Sequence, residues 1–348
     1  MKQEEIRKEI EQIINKTSTL LKEKNEWIER YSGYITDIQS VEQVVKDDKQ
    51  KFDTPEGLSL YFRVSDRKTT EQRTTKFDLR FLGQSVGTVK VTKSKITLNV
   101  SKKNEQNKKS FKGYSELQIP DKVDWISEGG TNFRKFFRDL MSNDENDITL
   151  KSQEHRLENQ LLKEFSKNQS TNKALKNIQP VTLFKCFFQM PTPIGASDHN
   201  PKYAKENGGG IDILARITPV HNKPGSFSRL CVMELKDENK PNESQADAMK
   251  QAVTYAVFIA YLLRSQSGQD WWDFFRAQDN SKELPDKLEI DVVTVMPKGE
   301  TEEISDQIFE IKDLSVTLHC HSLYYDNKAF EKGNFEFSGT YPKKVQGN

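Results

Sequence analysis

The chain has 348 residues, of which 34% are hydrophobic and 30% charged. That length suggests about two domains, and 20 Phe, 10 Tyr and 4 Trp supply enough large apolar surface for a core despite the polar average. The 53 Lys and Arg balance 52 Asp and Glu to a net charge of +1, which excludes both a uniformly basic nucleic-acid coat and the unbalanced charge of a fully disordered chain. No apolar run reaches the roughly 18–20 residues of a membrane span. The polar start, Met1-Lys2-Gln3-Glu4-Glu5, has no apolar signal region. Cys186, Cys231 and Cys320 lie far apart in apolar runs with no zinc spacing, as expected for reduced core thiols of a cytoplasmic protein.

The clearest helical pattern covers residues 4–31. Ile6, Ile10, Ile13, Thr17, Leu20, Lys24, Trp27 and Tyr31 alternate in steps of four and three, with Thr17 and Lys24 as polar interruptions. Ile14, Leu21 and Ile28 widen the stripe, which suits packing within the chain or a seam with a second copy or partner protein. Residues 58–64, 77–82, 86–91 and 95–100 read as strands of a β-meander, and 131–141 return to helical spacing. The polar stretch 142–147 marks a boundary, giving a helix and β-meander recognition or interaction domain over 1–145 and a second domain over 146–348.

The second half reads as an amphipathic helix over 152–167, with Leu157, Leu161, Leu162 and Phe165 on one side. A buried strand is expected over 181–190, then a long polar loop over 191–210. Strands at 211–217 and 230–236 are joined across a turn containing Pro224 and Gly225. An apolar helix over 243–264 and strands over 287–296 and 314–320 complete an α/β pattern. Between residues 80 and 113 nine Lys and Arg face a single acid, Glu105. Lys93, Lys95, Lys102 and Lys103 are therefore candidate phosphate contacts, or the lysines of a solvated sheet edge. The aromatic run from Trp271 to Phe275 fits a core better than a base-stacking platform, and His319 and His321 lack a metal-ligand pattern.

The chemistry concentrates in Glu158, Asp212, Glu234, Lys236 and Gln251. On a strand, Glu234 and Lys236 project to one side and Leu235 to the other. If the two strands form a hairpin, Asp212 sits beside Glu234, and two close carboxylates repel unless a hard divalent cation lies between them. Lys236 then stands where it can serve an attacking water or stabilise charge on a phosphorane. The neighbours Val232, Met233 and Leu235 mark a buried strand, where an uncompensated Glu and Lys would be costly.

Together, Gly210-Ile211-Asp212, Glu234-Leu235-Lys236 and Gln251-Ala252-Val253-Thr254-Tyr255 resemble the motifs of the PD-(D/E)XK nuclease superfamily, the last being similar to the Gln-x-x-x-Tyr element of its RecB-type branch. The likeness covers about residues 150–300. Ile211 stands where the family has proline. The resemblance implies a restriction-endonuclease-like α-β-β-β-α-β core, a mixed sheet flanked by helices. It implies Mg²⁺ or Mn²⁺ held by Asp212, Glu234 and the Leu235 carbonyl, with Glu158 acting at or near the metal, although Glu154 shares its helix face. Lys236 would be catalytic, supported by Gln251 and Tyr255. The implied activity is metal-dependent phosphodiester hydrolysis, of DNA rather than RNA, with a restriction or phage-defence role by analogy of fold. The alternative is a non-catalytic nucleic-acid-binding or assembly subunit with the same fold.

Overall fold

A computed structural model of the chain describes residues 3–47, 57–63, 75–91, 95–101, 104–142, 148–150, 152–166, 178–183, 186–206, 208–217, 229–237, 243–275, 283–298, 306–331, 334–339 and 341. Helices α1 (Gln3–Glu23) and α2 (Glu26–Asp47) precede strands β1 (Leu58–Arg63), β2 (Thr75–Phe81), β3 (Gln84–Val91) and β4 (Ile96–Val100). Then come α3 (Glu105–Ser110), β5 (Lys122–Asp124), α4 (Glu128–Ser142) and α5 (Gln153–Phe165). Short strands follow: β6 (Ile178–Pro180), β7 (Thr182–Leu183), β8 (Cys186–Phe188), β9 (Pro191–Thr192), β10 (Ile194–Gly195), β11 (Lys202–Tyr203) and β12 (Gly209–Gly210). The chain continues through β13 (Ile213–Ile217), β14 (Arg229–Leu235), α6 (Gln245–Leu263), α7 (Gly268–Phe275), β15 (Leu288–Pro297), β16 (Gln307–Ile311), β17 (Val316–Tyr325), α8 (Asn327–Glu331) and β18 (Phe337–Gly339).

These elements form two compact units, one of residues 36–162 and 182–188, the other of 1–35, 163–181 and 189–348. The division is not the single cut near residue 145 that the polar stretch suggested. The first helix belongs with the C-terminal half, and most of α5 belongs with the meander. The strand expected over 181–190 is also divided. Residues 178–180 join one sheet, whereas 182–183 and 186–188 join the other.

The meander unit holds a sheet in the order β5-β4-β3-β2-β1-β8-β7, antiparallel except for the β1–β8 pair. Alternation buries Phe77, Leu79, Phe81, Val89, Val91 and Leu98. An aromatic cluster covers this face: the Phe137 ring of α4 lies 4.7 Å from that of Phe81 and 5.5 Å from that of Phe111. The opposite face is polar and meets α5. There Arg80 lies 4.0 Å above the Tyr61 ring, its Nε 2.8 Å from Asp78, and Asn159 donates to the Tyr61 hydroxyl at 3.0 Å.

The larger unit holds a mixed sheet in the order β16-β17-β15-β14-β13-β6, with β18 on β17. Strands β6, β13 and β14 are successive antiparallel neighbours, and β14, β15 and β17 run parallel. Helix α6 is apolar around its circumference because it packs on this sheet and on α1. Ile6, Ile10, Ile13, Ile14, Thr17 and Leu21 of α1 are buried, so the stripe that suggested an oligomer seam is covered within its own unit. The helix expected over 4–31 is two helices, broken at Lys24 and Asn25. The Trp27 indole donates to the Leu21 carbonyl at 3.0 Å, satisfying one of the acceptors that the end of α1 leaves open. Trp27 and Tyr31 then pack edge-on against Phe258 of α6. Trp271, Trp272 and Phe275 are buried, in keeping with core. All three cysteines are free and buried, and burial pushes the Cys186 thiol up to about 12. Among the described residues no helix is long and apolar enough to cross a membrane.

Candidate active site

The β13–β14 hairpin sets the geometry. Ile213 pairs with Met233, so one further step in the antiparallel register places Asp212 opposite Glu234. Asp212 reaches across the pair, and its Oδ2 accepts the Leu235 amide at 2.9 Å. The Lys236 amide donates the other way, to Val295 of β15, at 3.0 Å. The planar trans peptide between residues 235 and 236 therefore turns the Leu235 carbonyl away from β15, to the side where Asp212 lies. Asp212, Glu234 and the Leu235 carbonyl are all hard oxygen donors.

Lys236 is only 3% exposed. Its ammonium donates to Glu234 Oε1 at 2.9 Å and to Gln251 Oε1 at 3.2 Å, and lies 3.0 Å from Glu243 Oε1. Burial alone would lower its pKa, but the charge of Glu234, reinforced by Glu243, outweighs burial and holds it above the ordinary lysine value. Lys236 is therefore a fixed positive charge at neutral pH.

Helix α6 supplies the rest. Ser244 caps its N-terminus by accepting the Asp247 amide, and the helix carries Gln251 and Tyr255 on one face. Gln251 Nε2 lies 3.4 Å from the Tyr255 hydroxyl. Burial, then the negative charge of Glu234, with Asp212 adding to it, pushes the Tyr255 phenol well above its usual value. Tyr255 thus faces both carboxylates. The glycine run has a packing reason: a Cβ on Gly209 would lie 2.9 Å from the Tyr255 oxygen, and one on Gly208 would strike the Ile194 backbone at 2.5 Å.

Five expected side chains, Asp212, Glu234, Lys236, Gln251 and Tyr255, thus share one unit and one neighbourhood. Glu158 belongs to the meander unit, 2% exposed, with Oε1 3.6 Å from Arg80 Nη1, whose guanidinium stacks on Tyr61. Glu243 was missed, because it stands at the polar start of the helix expected over 243–264 and belongs to none of the motif elements. Of the four candidate phosphate contacts, Lys93, Lys102 and Lys103 lie outside the described residues, as does the turn with Pro224 and Gly225. Lys95 is exposed and lies 3.7 Å from Asp124.

No group of three or more His, Cys, Asp and Glu side chains arranged for a metal occurs among the described residues. A cation here would rest on the two carboxylates, one backbone carbonyl and water. That donor set is all oxygen and fits Mg²⁺ or Mn²⁺, which commonly use few protein ligands.

No protein-family model and no solved structure matches the chain. Among curated proteins it is similar to the lysine–tRNA ligases of Actinobacillus succinogenes and Mannheimia succiniciproducens, each 25% identical over 218 residues. That match covers 60% of this chain and 37% of each ligase, so the chain spans little more than a third of these relatives.

Proposed function

We propose that the chain is a metal-dependent nuclease of the PD-(D/E)XK kind, with DNA as the favoured substrate. The observation that carries this reading is the convergence of Asp212, Glu234 and Lys236 around the end of one hairpin, with Lys236 bound by Glu234, Glu243 and Gln251. Three further features support it. The succession of β6, β13, β14, α6 and β15 in one mixed α/β unit supports a restriction-endonuclease-like core. The Gln251–Tyr255 pair lies on the site side of α6. The similarity to ligases named for tRNA accords with a protein that handles nucleic acid.

When bound, a divalent cation would lower the pKa of water and neutralise phosphate charge. Asp212, Glu234 and the Leu235 carbonyl would hold it. The raised pKa of Lys236 selects between its two chemical options: it keeps its proton and supplies positive charge to the phosphate as negative charge builds there. Gln251 and Glu243 fix the position of that charge, and Tyr255 presents a hydroxyl that stays protonated.

The test is a cleavage panel of single- and double-stranded DNA and RNA with Mg²⁺, with Mn²⁺ and with EDTA. Hydrolysis by the wild type that requires the metal and is abolished by Asp212→Ala is the expected result. A wild type that binds these substrates and cuts none of them under any metal condition would support the non-catalytic subunit instead.

A further inference from the structure

The polar face of the meander sheet carries cations in cross-strand register. Lys76 of β2 is directly opposite Lys90 of β3, and the row continues through Thr97 of β4 to Asp124 of β5. In the adjacent row Asp78, Thr88 and Asn99 lead to Lys122 of β5. Directly opposed residues of an antiparallel pair share a face with Cβ atoms about 4.5–5.5 Å apart, and like charges so placed destabilise the sheet.

The acids on this face are engaged elsewhere. Asp78 binds Arg80 and Ser85, Glu158 lies against Arg80, and Asp124 faces Lys95. Among the described residues no acid pairs with Lys76 or Lys90, and both are half-buried. Beside them lie the neutral groups Thr88, Thr97 and Asn99, together with Asp78, which is bonded to Arg80 and Ser85. These rows present no exposed large apolar side chain of the sort that anchors a protein partner. Phosphate contacts need only cations and small polar donors.

We infer that this sheet face binds the phosphate backbone of a nucleic acid, with Lys76 and Lys90 as its central contacts. A polyanion lying across the strands offsets the like-charge repulsion between Lys76 and Lys90. Backbone binding at Lys76 and Lys90 requires no cleavage, so it stands independently of the hydrolytic reading.

The experiment measures binding of a fluorescent 20-nucleotide DNA, single- and double-stranded, by the full chain in EDTA over a range of KCl. Lys76→Glu turns a like-charge pair into an opposite-charge pair. It should leave the melting temperature unchanged or raised while weakening DNA binding several-fold. The double variant Lys76→Gln and Lys90→Gln should flatten the duplex salt slope by about 2, since each neutralised phosphate contributes about 0.9. Wild-type affinity and slope in both variants would overturn the inference, as would polyglutamate competing as well as DNA of equal charge, which would mark a surface for acidic proteins. Binding is read in EDTA, without cleavage, so loss of backbone binding and loss of cleavage remain separable.

Discussion

Lys236 is held by more groups than a surface lysine would need. Two carboxylates and an amide oxygen surround its ammonium in a buried position. Removing one partner of such a buried set leaves the others uncompensated, at a cost of about 3–5 kcal/mol. Lys236→Met should therefore lower the melting temperature, because Glu234 and Glu243 then face each other without a counter-charge. It should also slow cleavage by about two to three orders of magnitude, the effect of losing one electrostatic stabiliser. Because the ammonium does not ionise near neutrality, the wild-type pH–rate profile should show no Lys236 step below about pH 10. A Lys236→Met protein that cuts at the wild-type rate would remove the residue from the chemistry. Much of this site was legible in the sequence, and for identifiable reasons. Strand alternation aligned Glu234 with Lys236, the hairpin aligned Asp212 with Glu234, and i,i+4 spacing aligned Gln251 with Tyr255. Helical periodicity shows which face of α5 is buried but not which groups meet it, so the contact of Glu158 with Arg80 was not legible.

At the level of elements, length decided what could be read. The strands of five residues or more and helices α4, α5 and α6 have enough positions to show a period. The two-residue strands β7 and β9 to β12 do not, and their pairing depends on partners distant in sequence. Strand β17 carries a consequence that its own sequence concealed. His319 is opposite Asp291 of β15, its Nε2 lies 3.6 Å from Glu289, and Arg229 of β14 approaches both acids. His321, on the same strand, meets Asp306 at 3.0 Å and packs against the Tyr341 ring, whose hydroxyl bonds Asp291. Burial, with Arg229 nearby, lowers the His319 pKa below 6.5. The unfolded chain therefore takes up this proton first as the pH falls, and the fold loses stability below about pH 6.5. Urea denaturation at pH 7.5 and 5.5 should show a smaller loss in His319→Gln than in the wild type. An equal loss in both would mean that His319 titrates alike in the folded and unfolded chains.

For the whole molecule, the division into units reassigns the first helix. Its apolar stripe completes the core around α6 and thereby fixes the helix that carries Gln251 and Tyr255. The meander unit presents a basic face of its own. Under the proposed readings, holding a nucleic acid and cutting it fall to different units, and metal binding is the property expected of the hydrolytic site alone. The most direct measurement is a Mn²⁺ binding isotherm of the intact chain by calorimetry. The wild type should bind Mn²⁺ at a site that Asp212→Ala and Glu234→Gln both abolish, with each variant remaining folded. A wild type that binds no Mn²⁺, or folded variants that bind it as the wild type does, would contradict a metal site built on Asp212 and Glu234.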